Sequence, residues 1–228
     1  MLTQRAIAEE LMDSDDLDPD TYAVVVHDLA QVNTLTLARR PTLRFLNRIA
    51  LRQEPIRILD VGFGDGDMLR AIAKWSRSVS QPVELVGIDL NPRSAPAALA
   101  STHADMAIEY RTGDYANLSG GRWDVILSSL VAHHMTDGQL INFLQFMDQE
   151  ATRGWFINDL HRHGFAWTGF PLLARVMRWH PIVRHDGQLS IARSYRVGEW
   201  GPILAAAGIT DARVTRFFPF RLCVAKFR

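Results

Sequence analysis

The sequence predicts an α/β protein: a doubly wound, mostly parallel sheet of seven strands, with helices in front of it, a helical lid inserted late in the chain and an antiparallel hairpin at the C-terminus. Three observations predict it. A glycine cluster, Gly62, Gly64 and Gly66, follows the first strongly apolar β-like run. Runs of β-branched and apolar residues then alternate with segments of helical period, and such alternation builds parallel sheets. Two short β-like runs at the end are separated only by a turn at Pro219.

Taken in order, residues 3–12 read as a short helix ended by Asp13-Ser14-Asp15-Asp16, and Asp18-Pro19 opens a second helix reaching about residue 32. Residues 36–50 read as a third, with Leu43, Leu46, Ile49 and Ala50 on one face. The alternation follows: strand 56–61, helix 66–78, strand 83–88, helix 94–102, strand 107–111, strand 123–128, helix 137–150 and strand 154–158. Residues 160–192, rich in aromatics, His and Arg, interrupt the pattern as a lid. Helix 197–207, ended by Gly208, and strands 211–217 and 221–227 complete the chain. Residues 1–50 thus read as a helical cap and 51–228 as the sheet domain with its lid.

Composition narrows the function. The 228 residues carry 25 Lys plus Arg against 25 Asp plus Glu, so the chain lacks the excess positive charge that nucleic acid or an anionic membrane would attract. A small molecule is the expected partner. The single cysteine, Cys223, excludes an internal disulfide and a thiolate zinc cluster. The acidic residues 9–18 do not suit a signal peptide, and no apolar run approaches the ~18 residues of a membrane helix. The expected location is the cytoplasm. The N-terminal helices are also compatible with a homodimer.

The glycines carry the most chemistry. Their G-x-G-x-G spacing differs from the dinucleotide G-x-G-x-x-G, and alone it is a weak signal. Lacking Cβ atoms, they let the backbone turn sharply against a ligand, while the next helix N-terminus offers free N–H groups. Asp89, ending the second strand before Leu90, is placed to accept protons from ribose hydroxyls. Asp114, in Gly113-Asp114-Tyr115 after the third strand, is placed to accept from an adenine amino group.

With these motifs in order, the chain resembles the class I S-adenosylmethionine (SAM)-dependent methyltransferases, a Rossmann-like family, over roughly residues 33–228. The resemblance implies that Asp60, Gly62, Phe63, Gly64 and Gly66 hold the methionine part of SAM, Asp89 and Leu90 the ribose side, and Gly113, Asp114 and Tyr115 the adenine. It also implies a cofactor-facing position for Ser128 where the fourth strand leads into His133-His134. S-adenosylhomocysteine (SAH) is the implied product. More loosely, Val32-Asn33, Arg39-Arg40-Pro41, Asn158-Asp159-Leu160-His161-Arg162 and Arg184-His185-Asp186-Gly187 resemble a bacterial subfamily associated with polyketide and other secondary-metabolite clusters. Leu37-Ala38 departs from its pattern, which puts in question a role for Arg40 on the cofactor carboxylate.

Methyl transfer to a hydroxyl needs a base, and histidine titrates in the right range. The catalytic candidates are His133, His134 and His161, with His163 and His185 on neighbouring segments. Asp159, two residues before His161, either orients that ring or caps a helix. From the lid, Trp167, Phe170, His185 and Arg193 are the expected acceptor contacts, with Arg184 beside them and Tyr22 and Val26 lining an apolar pocket from the N-terminal side. No metal is expected: Asn158-Asp159 with Asp114 is a weak hint, and Ser128-Ser129 stand where a ligand would be needed. The reading is O-methylation of a small aromatic or polyketide-like acceptor. C-methylation of an enol or ring carbon, an NAD-dependent oxidoreductase using Asp89, and a non-catalytic SAM-binding protein are the alternatives.

Overall fold

The computed structural model describes residues 2–50 and 54–228. The first 50 residues supply helices α1 (Pro19–Leu35) and α2 (Arg40–Ile49). The sheet domain runs β1 (Ile56–Val61), α3 (Asp67–Val79), β2 (Val83–Asp89), α4 (Ser94–Ser101), β3 (Ile108–Thr112), β4 (Trp123–Ser129), α5 (Asp137–Glu150) and β5 (Ala151–Leu160). The lid helices α6 (Gly164–Val176) and α7 (Pro181–Arg193) come next, then α8 (Val197–Ala206), β6 (Arg213–Phe217) and β7 (Arg221–Phe227). The sheet has seven strands in the order β3-β2-β1-β4-β5-β7-β6. The first five are parallel, and β7 runs antiparallel to both β5 and β6. This is the predicted architecture. The boundary expected at residue 51 lies outside the described residues.

Both faces of the sheet are covered, which is why β1, β4 and β5 read as continuous apolar runs. One face packs Trp123, Leu140, Phe143, Met147, Trp155 and Trp200 against α5 and α8. The other packs Leu46, Leu69, Ile72 and Phe156 against α2 and α3, with Phe45 stacked on Phe156 at 4.8 Å. A smaller cluster, Val25, Val32, Ala174, Trp179 and Val183, joins α1 to the lid. Among the described residues no helix is long and apolar enough to cross a membrane.

Helix starts follow local chemistry. Asp18 caps α1 by accepting from Thr21 N–H at 2.9 Å, and Thr136 and Gln139 form a reciprocal capping box on α5. The third helix starts at Arg40 rather than at residue 36.

The expected helix at 3–12 is absent. Residues 4–10 are irregular, and only Leu11–Asp13 make a 3-10 turn. Tertiary contacts override the local propensity. The Arg5 side chain donates to Asp137 Oδ1, to the hydroxyl of Tyr195, and to the carbonyls of His133, Met135 and Arg193. Ala6 N–H donates to Ala192 O at 3.1 Å, and the Leu11 and Met12 N–H groups donate to the buried Asp186 carboxylate at 3.0 and 2.9 Å. The segment is thereby laid across α7 and the turn after β4.

Candidate active site

Strand order reverses at β1, whose neighbours β2 and β4 are entered in opposite directions, and ligands of open α/β sheets bind beyond the strand ends at such a point. A cavity of about 780 Å³ lies there. Its lining includes Asp60, Gly62, Phe63, Gly64, Asp89 and Leu90, and also Glu10, His133 and His134.

The glycine loop needs its glycines. Gly62 has φ +77°, and a Cβ there would lie 2.3 Å from Val131 Cγ2; Gly66 has φ +74°, and its Cβ would lie 2.5 Å from the Tyr110 hydroxyl. Gly64, at φ +54°, faces open space, and its N–H donates to Asp89 Oδ2 at 2.9 Å. Asn91 N–H donates to Asp89 Oδ1, so this carboxylate is oriented while it lines the cavity. Asp60 is 1% exposed and its Oδ1 has no partner. Burial, then the charges of Asp67 and Asp89, hold its carboxyl well above the ordinary value. A buried, unpartnered carboxylate on a cavity wall suits a cationic ligand group such as an ammonium. The residues therefore fit the cofactor that the sequence implies: Asp60 for an amine, Asp89 for vicinal hydroxyls, and Leu90, Gly113 and Tyr115 as walls for a flat ring.

Several expected contacts are placed elsewhere. Ser128 turns its hydroxyl to Val61 O at 3.0 Å, and its neighbour Ser129 lines the cavity, with an unpartnered buried Oγ, because alternate strand residues face opposite sides. Asp114 is exposed and off the cavity lining, its Oδ1 accepting from Ala116 N–H at 2.9 Å. Arg40 is also exposed; Arg39 instead makes the ion pair with Asp67, at 2.9 Å.

The histidine end differs from the sequence reading. Asp159 does not orient His161. Its Oδ1 lies 2.7 Å from His133 Nδ1, and its Oδ2 accepts the His133 backbone N–H at 2.8 Å. His161 lies off the cavity, its N–H bonded to Phe220 O and its ring 5.7 Å from that of His163, so the geometry does not support it as the base. His133 is 2% exposed. Burial opposes its charged form, but Asp159 and Glu10 prevail and raise its pKa to about 9. Glu10, 4% exposed, is lowered to about 2: burial raises it, and the two histidines and Ser190 more than offset that. His134, its ring tilted 40° to that of His133 with centroids 4.3 Å apart, is partly exposed, and its Nδ1 lies 3.1 Å from Asp13 Oδ2.

The lid contributes fewer contacts than expected. Phe170 lines the cavity, as do Tyr22 and Val26 from α1. Trp167 does not; its carbonyl accepts from Gln188 Nε2 and its N–H donates to His163 O. His185 is exposed and bonded to Asp186, and Arg193 spends its N–H groups on the carbonyls of Ala8, His133 and His134. Both lie off the cavity lining, because α7 turns them toward the N-terminal segment or solvent. Asn158 donates to Ala38 O and Thr42 Oγ1, so Asn158, Asp159 and Asp114 do not converge. Glu10 and Asp13 are site residues that sequence reasoning missed; no local spacing links them to the histidines.

Residues 58–150 match the family model described as a methyltransferase domain. No curated protein matches the sequence. Among solved structures, human N-acetylserotonin methyltransferase in complex with SAM superimposes with a TM-score of 0.64 at 13% identity, covering 92% of this chain and 56% of that one. The chain thus spans little more than half of that enzyme. A SAM-dependent methyltransferase from Aquifex aeolicus gives 0.62 at 20% identity, covering 92% and 98%. The plantazolicin methyltransferase BamL, solved with a triazolic desmethylPZN analogue and SAH, gives 0.61 at 14%, covering 86% and 77%. The sheet order and the similar structures give the chain the fold of SAM-dependent methyltransferases. The match to a methyltransferase domain begins within β1, and two of these similar structures were solved with SAM or SAH bound.

Proposed function

We propose that the chain methylates a hydroxyl on a small, largely apolar acceptor, with SAM held at the glycine-loop end of the cavity. One observation carries this reading: one cavity is lined by Asp60, Gly64 and Asp89, by the His133-His134-Glu10 cluster, and by the apolar side chains of Val26, Phe170 and Leu173 with Tyr22. SAM supplies an electrophilic methyl, and the protein's task is to position the acceptor, exclude water and manage its proton. His133, clamped by Asp159 and positively charged, orients the acceptor oxygen and stabilises its developing negative charge. His134, on the cavity wall, is the ring placed to take the proton. The apolar walls favour an aromatic or polyketide-like acceptor, in line with the sequence resemblance to secondary-metabolite enzymes.

Incubation with methyl-labelled SAM and a panel of phenols and enols, followed by NMR location of the label, tests the proposal. Label on oxygen is expected. Label on carbon sinks the O-directed reading, and micromolar NAD binding without SAH binding sinks the cofactor assignment.

A further inference from the structure

We propose that Glu10, His133 and His134 form a binding site for one divalent transition-metal ion, with Zn²⁺ the best-fitting occupant and the open coordination position facing the cavity. One ligand atom from each residue lies within 4.8 Å of the other two. His133 Nε2 lies 3.6 Å from Glu10 Oε1, and His134 Nε2 lies 3.8 Å from Glu10 Oε2. Both separations exceed a hydrogen bond. Donors about 2.0–2.1 Å from a tetrahedral ion lie about 3.3 Å apart, so small side-chain movements close the set around zinc.

The second observation is independent of the spacing. His133 is 2% exposed, its Nδ1 is held by Asp159, and its Nε2 has no hydrogen-bond partner. A buried ring nitrogen left bare and directed at a carboxylate and a second imidazole calls for an occupant.

The surroundings match what metal-binding histidines require. Such rings pass their other N–H to a carboxylate or carbonyl, which sets the tautomer and orientation. Here both do: His133 Nδ1 meets Asp159 at 2.7 Å and His134 Nδ1 meets Asp13 at 3.1 Å. Glu10 Oε1 accepts from Ser190 Oγ at 2.8 Å, which fixes that carboxylate too. Three carboxylates thus surround the two rings. The nearest guanidiniums, Arg5 and Arg193, donate to the backbone carbonyls of residues 133–135, and Arg193 approaches Glu10 Oε1 only at 3.9 Å. Two imidazoles and one carboxylate are a zinc-type donor set that leaves a fourth position free.

This deepens the proposed function and rests on it for the role of the ion. Zinc in place of the His133 proton supplies the positive charge facing the acceptor. In the zinc-bound form His134 serves as a ligand in place of its role as base: the ion lowers the acceptor hydroxyl's pKa, the proton passes to solvent, and the oxygen meets the methyl as an oxyanion.

The test is titration of chelator-stripped full-length protein with ZnCl₂ by calorimetry, and with CoCl₂ by visible absorption, with SAH binding measured on the same samples. One zinc per wild-type chain and a cobalt spectrum of low-coordinate N/O ligation are expected. Affinity should fall at least about tenfold in His134→Gln and Glu10→Gln and stay unchanged in His185→Gln. Thermal unfolding accompanies each variant. If the buried Glu10→Gln fails to fold, the part-exposed His134→Gln carries the test. A wild type that binds no zinc, or a folded His134→Gln that binds it as tightly, overturns the proposal. Zinc binding without SAH binding overturns the proposed function while leaving the metal site standing.

Discussion

Asp159 holds His133 at two points, with Oδ1 2.7 Å from the ring Nδ1 and Oδ2 2.8 Å from the backbone nitrogen. The carboxylate at the end of β5 therefore sets both the rotamer of the ring and the turn that carries it after β4. Asp159→Asn removes the anion and leaves a charged ring facing a neutral amide. A loss of about 3–5 kcal/mol in urea unfolding is expected, as for a broken buried ion pair, with SAH affinity changed little. A loss below about 1 kcal/mol would show that the clamp is not built as described.

Asp60 supplies a pH-dependent test. Its folded-state pKa is raised by burial and by its acidic neighbours, so the folded chain keeps a proton that the unfolded chain releases above about 3.8. Its contribution is therefore destabilising: stability falls as pH rises from 3.8 toward the folded value and levels off beyond it. Asp60→Asn should make the ligand-free protein more stable on the alkaline side of that window and flatten the profile. The same change should weaken SAH binding about 10- to 100-fold, because an ionised partner for the ammonium is lost. Melting temperatures across pH, with and without SAH, decide it; superimposable profiles for the two proteins refute the role.

Gly64 and Gly66 should separate folding from cofactor binding. Alanine at Gly66 meets the Tyr110 ring in addition to a left-handed backbone that costs about 1–2 kcal/mol, so stability should fall by more than that. Alanine at Gly64 meets no protein atom, but its methyl enters the cavity wall. Its unfolding midpoint should move less than that of Gly66→Ala while SAH affinity drops at least about tenfold. Equal effects of the two variants on SAH binding and stability would argue against this division.

The N-terminal segment depends on Arg5. Arg5→Ala removes hydrogen bonds to three backbone carbonyls and two side chains. Protease cleavage within residues 2–13 should accelerate, and methyl transfer should fall as Glu10 is released, with SAH affinity retained. Unchanged cleavage kinetics would show that the contacts to Asp186, Ser190, Ala192 and Arg193 anchor the segment without Arg5.

The apolar walls predict which substitutions affect the acceptor alone. Val26→Trp and Leu173→Trp place a large side chain on the cavity lining at positions outside the glycine loop. Acceptor kcat/KM should fall by an order of magnitude or more, about 1.4 kcal/mol, while the SAH dissociation constant stays the same. A comparable loss of SAH binding would mean that the cofactor occupies this arm.

What the sequence determined by itself was local in origin. Glycines that must adopt positive φ, a carboxylate ending β2, apolar runs alternating with helical periods, and the capping residues Asp18 and Thr136 all act within a few residues of themselves. They were sufficient for the sheet, for the helices that cover it and for placing Asp60, Gly62, Gly64 and Asp89 on one cavity. Ser128 against Ser129 was not settled this way, since one step along a strand reverses the face.

The tertiary structure decided the acceptor end. Asp159 was read beside its sequence neighbour His161, yet it meets His133 because β4 and β5 lie side by side and their ends converge. Asp13 and His134 are 121 positions apart, and Glu10 reaches His133 only because Arg5 and Asp186 hold an irregular segment over the lid. Such contacts depend on the path of the folded chain, and neither periodicity nor residue spacing encodes that path.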